Sequence, residues 1–273
     1  MLPPIVEGAV VMEKGTIWVG ASGWVYPHWV GPFYPAKRSE SDYLAFYTRH
    51  FPTVEINRSF YRLPERRHCE AWARLAPPGF RFAVKASRYL THMKKLKDPQ
   101  ESLQRLVTAA EGLGEHLGPF LFQLPPHWRA NLDRLADLVA LLRYPAAFEF
   151  RDASWFAPET LSRLLKVLEQ APVPCTVVIA VGGSLPTPPD LPLSGSFGYY
   201  RFHQGSEGIG FSDEELMTWA ERLRKDRRRE AYVYFNNDPK GYAVRDATRL
   251  RELLGPLAVR PFVPASVADG RRA

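Results

Sequence analysis

The chain has few cysteines, with only Cys69 and Cys175 among its 273 residues. So small a number excludes a disulfide-stapled scaffold, and no Cys-x-x-Cys spacing is present to suggest a zinc site. Strongly apolar runs such as residues 175–181 are much shorter than the roughly 20 residues that a membrane-spanning helix needs. The first residues show no basic segment ahead of their apolar part, so a secretory signal is not expected. We therefore expect a cytoplasmic protein that does not enter the membrane.

Several catalytic signatures are also missing. The sequence contains no Gly-x-Ser-x-Gly elbow, no Walker phosphate loop and no His-Glu-x-x-His motif, so three common enzyme classes have no support. No Gly-x-Gly-x-x-Gly turn follows the first strand-like segment, which argues against a dinucleotide-binding sheet. The seven histidines are scattered, so no metal site is predicted and no cofactor is identified.

Strand-like and helix-like segments alternate along the chain. Eight segments have strand character, at residues 16–22, 53–57, 81–87, 119–125, 146–152, 175–181, 198–203 and 231–236. Eight strands alternating with helices in about 250 residues are typical of a (β/α)8 TIM barrel, an α/β fold. An open doubly wound sheet is the alternative. We expect a single barrel domain over residues 16–262, an N-terminal extension over residues 1–15 and a disordered tail over residues 263–273.

Polar residues concentrate near the C-terminal ends of these strands, where TIM barrels carry their sites. They are Glu55, Asn57, Lys85, Ser87, Gln123, Glu149, Arg151, Arg201, His203, Asn236, Asn237 and Asp238. Residues two apart in a strand, such as Glu149 and Arg151, share one face. Each residue alone also has a structural interpretation, since Glu55 could pair with Lys85 inside the barrel. Burying so many polar groups is costly unless they find partners, so their shared placement predicts a polar pocket.

Two of the loops that follow the predicted strands are basic. Residues 57–67 carry four arginines against Glu65, and residues 85–97 carry five basic residues and no acidic one. The aromatic residues nearby are Trp24, Tyr26, Trp29, Phe60, Tyr61 and Tyr89. Basic groups among aromatic rings suit phosphate contacts and the stacking of a base or sugar. Alternatively, the rings form a packed lid on the barrel.

Six ordered motifs between about residues 16 and 255 resemble the YecE-like family, domain of unknown function 72. They are GASGWVYPHWVGPFYP, HFPTVEINRSFYRLP, GFRFAVKASRYLTHMKKLKDP, LGPFLFQLPP, EFRDASW and YVYFNND. The resemblance implies a TIM barrel but no activity, and that barrel is similar in general form to metal-dependent apurinic endonucleases and sugar isomerases. This chain departs from the family after the sixth strand, where residues 180–184 replace an Ala-Asp-Ser-like end.

The resemblance also implies which residues form the site. Its motif positions fall on Trp24, Glu55, Asn57, Tyr61, Lys85, Ser87, His92, Gln123, Glu149, Arg151, Trp155, Arg201, His203, Asn236, Asn237 and Asp238. With the basic loops added, the predicted ligand-binding residues are Trp24, Asn57, Arg58, Tyr61, Ser87, Arg88, His92, Gln123, Arg151, Trp155, Arg201, Asn236, Asn237 and Asp238. The catalytic candidates are Glu55, Lys85, Glu149 and His203.

Three functions remain open at this level. The first is a barrel that binds or acts on an anionic, phosphorylated or nucleotide-like molecule, as a hydrolase or lyase. Lys85, Arg88, Arg151 and Arg201 would hold the anion, a carboxylate with His203 would move protons, and Lys85 could form a Schiff base. The second is a non-catalytic nucleic-acid-binding protein. The third is a metal-dependent nuclease resembling apurinic endonucleases. The oligomeric state is not predicted.

Overall fold

The computed structural model describes residues 15–262, with the exception of residues 38, 189 and 227. The predicted tail over residues 263–273 lies outside the described residues. The predicted N-terminal extension over residues 1–15 does so too, apart from its last residue.

The strands form one barrel-like parallel sheet. They are β1 (Thr16–Ser22), β2 (Thr53–Ile56), β3 (Arg81–Lys85), β4 (Leu117–Gln123), β5 (Ala146–Glu149), β6 (Cys175–Val177), β7 (Ile179–Val181), β8 (Phe197–Phe202) and β9 (Glu230–Phe235). Their order in the sheet is β6-β5-β4-β3-β2-β1-β9-β8-β7, and each ladder is parallel. The predicted TIM-barrel class is therefore confirmed.

The sixth predicted strand forms two elements, β6 and β7, which are separated by Val178. β6 pairs with β5, whereas β7 pairs with β8. The backbone N–H of Val178 still donates to the carbonyl of Phe148, at 2.9 Å. One chain segment thus serves the two edges of the sheet in succession, and the eight strands expected from the sequence become nine.

Helices surround the sheet. They are α1 (Glu40–Tyr47), α2 (Arg58–Tyr61), α3 (Arg66–Leu75), α4 (Gln100–Ala110), α5 (Leu132–Val139), α6 (Pro158–Glu169), α7 (Asp213–Lys225) and α8 (Tyr242–Leu254). A capping box between Ser212 and Glu215 starts α7, and Gly255, with φ of 59°, ends α8. In the described part of the chain, no helix is long and apolar enough to cross a membrane. The cytoplasmic location stays a prediction.

Alternation along the strands separates two cores. Val54 and Ile56 on β2 point outward into the layer between strands and helices, where both are buried. The barrel interior holds a second apolar cluster made of Ala83, Leu121, Ala147, Val178, Phe197, Tyr199, Tyr232 and Tyr234. Polar side chains from the strand ends lie above this cluster, at the C-terminal mouth of the barrel. The two-residue period therefore brings Glu55 into the mouth.

Candidate functional site

Arg201 on β8 lies at the centre of the polar layer and is fully buried. Its Nε and Nη2 atoms donate to the two carboxylate oxygens of Glu55, at 3.1 and 2.9 Å. Its Nη1 atom donates to Oε2 of Glu149, at 2.7 Å. One guanidinium therefore bridges β2 and β5 across the barrel, and its charge is compensated within the protein.

Glu55 has no free acceptor position. Besides Arg201, its Oε1 accepts from the Ser22 hydroxyl at 2.6 Å and its Oε2 accepts from the Tyr199 hydroxyl at 2.7 Å. Burial opposes ionisation, but the Arg201 guanidinium and these hydroxyl groups hold the pKa of Glu55 below its usual value. Glu55 is thus an ionised anchor for Arg201. It does not form the ion pair with Lys85 that the sequence allowed.

Glu149 is engaged in the same way. Arg151 donates to its Oε1 atom through Nε, and Nε2 of His203 lies 3.5 Å from its Oε2 atom. Burial opposes ionisation here too, yet Arg201 and His203 keep the pKa of Glu149 well below its usual value. Burial lowers the pKa of His203 despite this carboxylate, and Nδ2 of Asn236 lies 3.2 Å from its Nδ1 atom. Glu149 and His203, which were predicted to take part in proton transfer, therefore fix each other's position.

Lys85, at the end of β3, differs from the carboxylates and guanidiniums of this layer, which pair with one another. It is 7 % exposed, and its Nζ atom has no hydrogen-bond or ion-pair partner among the described residues. The ammonium lies 4.2 Å from the centroid of the Phe60 ring. Burial, followed by the charge of Arg201, lowers the pKa of Lys85 to about 8, although Glu55 and Glu149 act in the opposite direction. The Lys85 ammonium therefore lies against an aromatic ring instead of a carboxylate.

His92 and Arg88 lie on the same side of the mouth. The ring centroid of His92 is 4.9 Å from that of Phe60, and its Nδ1 atom is 2.9 Å from the Thr91 hydroxyl. Burial and the positive charges of Lys85 and Arg88 lower the pKa of His92 to about 4. Arg88 is exposed and forms no ion pair with a described residue. Lys85 and Arg88 therefore both place positive charge near the His92 ring.

The basic loops and the aromatic residues near them, here called the rim, are partly exposed to solvent. Tyr61 is 78 % exposed and Tyr89 is 53 % exposed, so neither ring is a packed lid. Arg58 is exposed too, but it forms an ion pair with Glu40 at 2.8 Å. Tyr61 and Arg88 are therefore exposed, whereas the Nζ atom of Lys94 lies 5.9 Å from the centroid of the Tyr89 ring.

Three further predicted residues belong to the polar layer or its edge. Oε1 of Gln123 lies 3.4 Å from Nη1 of Arg201, and the Ser87 hydroxyl accepts the backbone N–H of Leu90. Oδ1 of Asn57 is buried without a partner among the described residues. Gln123 and Ser87 thus support the architecture, while Asn57 retains an unused acceptor.

Two predicted tryptophans lie away from the mouth. Trp24 packs edge-on against Trp72 of α3, with a centroid distance of 5.2 Å. Trp155 is fully buried and stacks on Phe150 at 4.5 Å, while its Nε1 atom donates to the carbonyl of Trp128. Both rings fill the core between strands and helices. The motif positions of Trp24 and Trp155 did not predict where their side chains point. Side chains alternate between two faces only within a strand, and both residues follow the end of one.

The last two residues of the Asn-Asn-Asp motif also point elsewhere. Asn237 is buried and donates to Asp246 of α8, at 2.8 Å. The carbonyl of Asp238 accepts from Nε1 of Trp29 at 2.9 Å, and its carboxylate lies 3.4 Å from Nε2 of His28. These contacts attach the end of β9 to α8 and to the loop after β1. Only Asn236 reaches the polar layer.

Two members of the layer, Ser22 and Tyr199, were not among the predicted site residues. Both were detectable from the strand period, because Tyr199 lies two residues before Arg201 and Ser22 ends β1. Neither residue is charged, so neither attracted attention as a partner of a carboxylate.

Residues 180–184, which depart from the family pattern after the sixth strand, include a glycine that is required for steric reasons. Gly182 has φ of +77°, and a Cβ atom there would lie 1.6 Å from the carbonyl oxygen of Gln204. The loops that follow β7 and β8 therefore touch through their backbones, and only glycine fits between them.

The donor groups of the mouth do not suit a metal ion. Among the described residues, no group of three or more His, Cys, Asp and Glu side chains is arranged to hold one. The oxygens of Glu55 already accept four hydrogen bonds, and those of Glu149 are bound to two arginines. The geometry thus gives the metal-dependent nuclease hypothesis no ligand set.

Comparison with known proteins gives a family match. The family described as "Protein of unknown function DUF72" matches residues 18–267. The UPF0759 protein YunF of Bacillus subtilis is 28% identical over 275 residues, covering 87% of this chain and 94% of that protein. The UPF0759 protein YecE of Escherichia coli K12 is 28% identical over 109 residues, which are 40% of this chain and 38% of YecE.

Solved structures agree with the fold. A DUF72 family protein from Thermotoga maritima has a TM-score of 0.73 and 30% identity, with 88% of this chain and 99% of that chain covered. A DUF72 family protein from Enterococcus faecalis has a TM-score of 0.74 and 20% identity, with coverages of 88% and 95%.

Proposed function

Because this chain belongs to the DUF72 family, whose description names no activity, we propose its function from the geometry of the barrel mouth. The proposal is that the mouth binds an anionic ligand that is phosphorylated or nucleotide-like. The observation that carries it is the Lys85 ammonium, which is buried and has no counter-ion among the described residues.

The charge balance of the layer supports this proposal. Two carboxylates, Glu55 and Glu149, face two guanidiniums, Arg151 and Arg201, so these four groups compensate one another. Protonated Lys85 adds a positive charge that has no ion-pair partner among the described residues. A buried unpaired charge is unfavourable, and an incoming anion would relieve that cost. Below its pKa of about 8, Lys85 therefore favours an anionic ligand.

The surroundings favour a phosphate or sulfate-like group over a simple halide. Arg151 is 19 % exposed at its side chain, and its Nη1 atom makes no hydrogen bond to a described residue. Arg88 is exposed nearby. An oxyanion with several acceptor oxygens could accept from Lys85 and Arg151 together. The exposed ring of Tyr61 would then suit a base or sugar attached to that group.

The test is to measure anion binding by thermal shift and calorimetry, with sulfate and inorganic phosphate against chloride at equal ionic strength. We expect both oxyanions to raise the melting temperature and Lys85→Met to remove most of that rise. Lys97→Met, which removes an exposed lysine of the same loop, is the matched control and should keep it. Equal responses from both variants, or no response from the wild-type protein, would contradict the proposal.

The pH dependence gives a second readout of the same site. Binding an anion favours the protonated form of Lys85, so sulfate affinity should fall as the pH rises through about 8. Sulfate is the better probe here because its own charge does not change in this range. An affinity that is constant between pH 6 and about pH 9 would show that Lys85 is not the cation involved.

The exposed rings of Tyr61 and Tyr89 favour a second candidate, a single-stranded nucleic acid bound across the rim. Fluorescence anisotropy with a labelled oligonucleotide would test it. The candidate predicts affinity that falls steeply with salt and falls again in Tyr61→Ala. A small-molecule site predicts instead that a nucleoside monophosphate binds at least as well as the oligonucleotide.

A further inference from the structure

We propose that Lys85 is a nucleophile that condenses with the carbonyl carbon of a phosphorylated aldehyde or ketone. The product is an imine, or Schiff base, at the mouth of the barrel. This inference rests on the proposed anion binding and adds a reaction to it, since the same cationic surroundings would position the phosphate.

The position of Lys85 is the first argument. An amine can attack a carbonyl only when its nitrogen is free, and Nζ is free of hydrogen bonds and ion pairs among the described residues. The two carboxylates that could have paired with it are both bound to Arg201. The Phe60 ring at 4.2 Å offers the amine an apolar surface instead of an acceptor.

The protonation state is the second argument. Burial and the neighbouring Arg201 lower the pKa of Lys85 to about 8. At neutral pH roughly one tenth of such an amine is unprotonated, against less than about one thousandth for an ordinary lysine. Neutral amines are the reactive form, so Lys85 has an advantage over the exposed lysines of the chain.

The reaction balances without a further reagent. The Nζ lone pair attacks the carbonyl carbon, and the electrons of the C=O double bond move onto its oxygen. Both protons of the neutral amine pass to that oxygen, which leaves as water while the C=N bond forms. The phosphate would lie against Arg151, whose Nη1 atom is unused by the described residues.

Reductive trapping tests the inference. The protein is incubated with glyceraldehyde 3-phosphate and cyanoborohydride, and the modified lysines are identified by peptide mass spectrometry. We expect Lys85 to be modified at least about tenfold faster than Lys97 at neutral pH. Glyceraldehyde, which lacks the phosphate, should modify Lys85 more slowly, and inorganic phosphate should protect it.

The variant Lys85→Arg separates the two proposals. Arginine keeps a positive charge and forms no such imine, so sulfate should still raise the melting temperature while trapping at this position disappears. Modification spread evenly over the exposed lysines of the wild-type protein would overturn the imine while leaving anion binding intact. Loss of the sulfate response in the wild-type protein would overturn the anion site itself. If Lys85→Arg fails to fold, the wild-type peptide map still decides.

Discussion

Arg201 and Glu55 form a bidentate ion pair in the barrel interior, with N–O distances of 2.9 and 3.1 Å and no exposure of either side chain. The two residues are 146 positions apart in the sequence. Their pairing decides the roles of the others, because it engages the carboxylate that could have compensated Lys85. The Lys85 amine therefore has no ion-pair partner among the described residues, although ion-paired side chains surround Arg201 beside it.

Glu55→Gln should be strongly destabilising. The change leaves the buried Arg201 guanidinium without its main counter-ion, which typically costs about 3–5 kcal/mol. Urea unfolding at neutral pH would measure the loss. Glu40→Gln is the control, because Glu40 forms an exposed pair with Arg58 and such pairs contribute less than about 1 kcal/mol. Similar losses in the two variants would contradict the assigned role of Glu55.

Lys85→Met should stabilise the protein at neutral pH. The pKa of Lys85 is lowered to about 8, whereas that of an unfolded lysine is about 10.4, so the unfolded state binds more protons between these values. The unfavourable contribution of Lys85 is therefore complete below pH 8 and disappears as the pH approaches about 10.4. Its size is on the order of 3 kcal/mol.

Unfolding free energies of wild type and Lys85→Met, measured against pH, would show this pattern. Their difference should be constant below about pH 8 and shrink above it. Lys97→Met, which removes an exposed lysine of the same loop, is the matched control. A Lys85→Met protein that is less stable at neutral pH would indicate that the ammonium has a favourable partner in solution.

Tyr61→Ala should leave stability nearly unchanged, within about 0.5 kcal/mol, because the ring is 78 % exposed. Under the proposed function it should weaken binding of a nucleoside monophosphate and leave binding of sulfate unaltered. Calorimetry with both ligands checks the difference. Equal effects on the two ligands would argue against stacking on this ring.

Gly182→Ala should destabilise the protein more than Gly183→Ala. Both glycines have positive φ, of +77° and +68°, so both variants carry a backbone penalty of about 1–2 kcal/mol. At Gly182 the new Cβ meets the carbonyl oxygen of Gln204, whereas at Gly183 no atom of the described residues lies within 4 Å. Melting temperatures of the two variants give the comparison, and equal values would mean that the two loops do not touch.

Strand and helix periodicity was enough to predict the barrel and much of its polar layer. Alternation of strand and helix patterns identified the eight strand segments, and the two-residue period placed Glu55, Lys85, Glu149 and Arg201 on inward faces. The strand pattern and the alternation of side chains are local properties of the chain, and they do not depend on which strands pair.

Which of these groups pair with one another depends on contacts between strands that are distant in the sequence. Glu55 could have paired with Lys85 on the next strand, but three nitrogen atoms of Arg201 donate to the two carboxylates, and a lysine cannot replace that geometry. The direction of Trp24 and Trp155 was likewise set by packing beyond the strand ends. The free amine of Lys85 is a consequence of contacts between distant strands, so only the folded barrel reveals it.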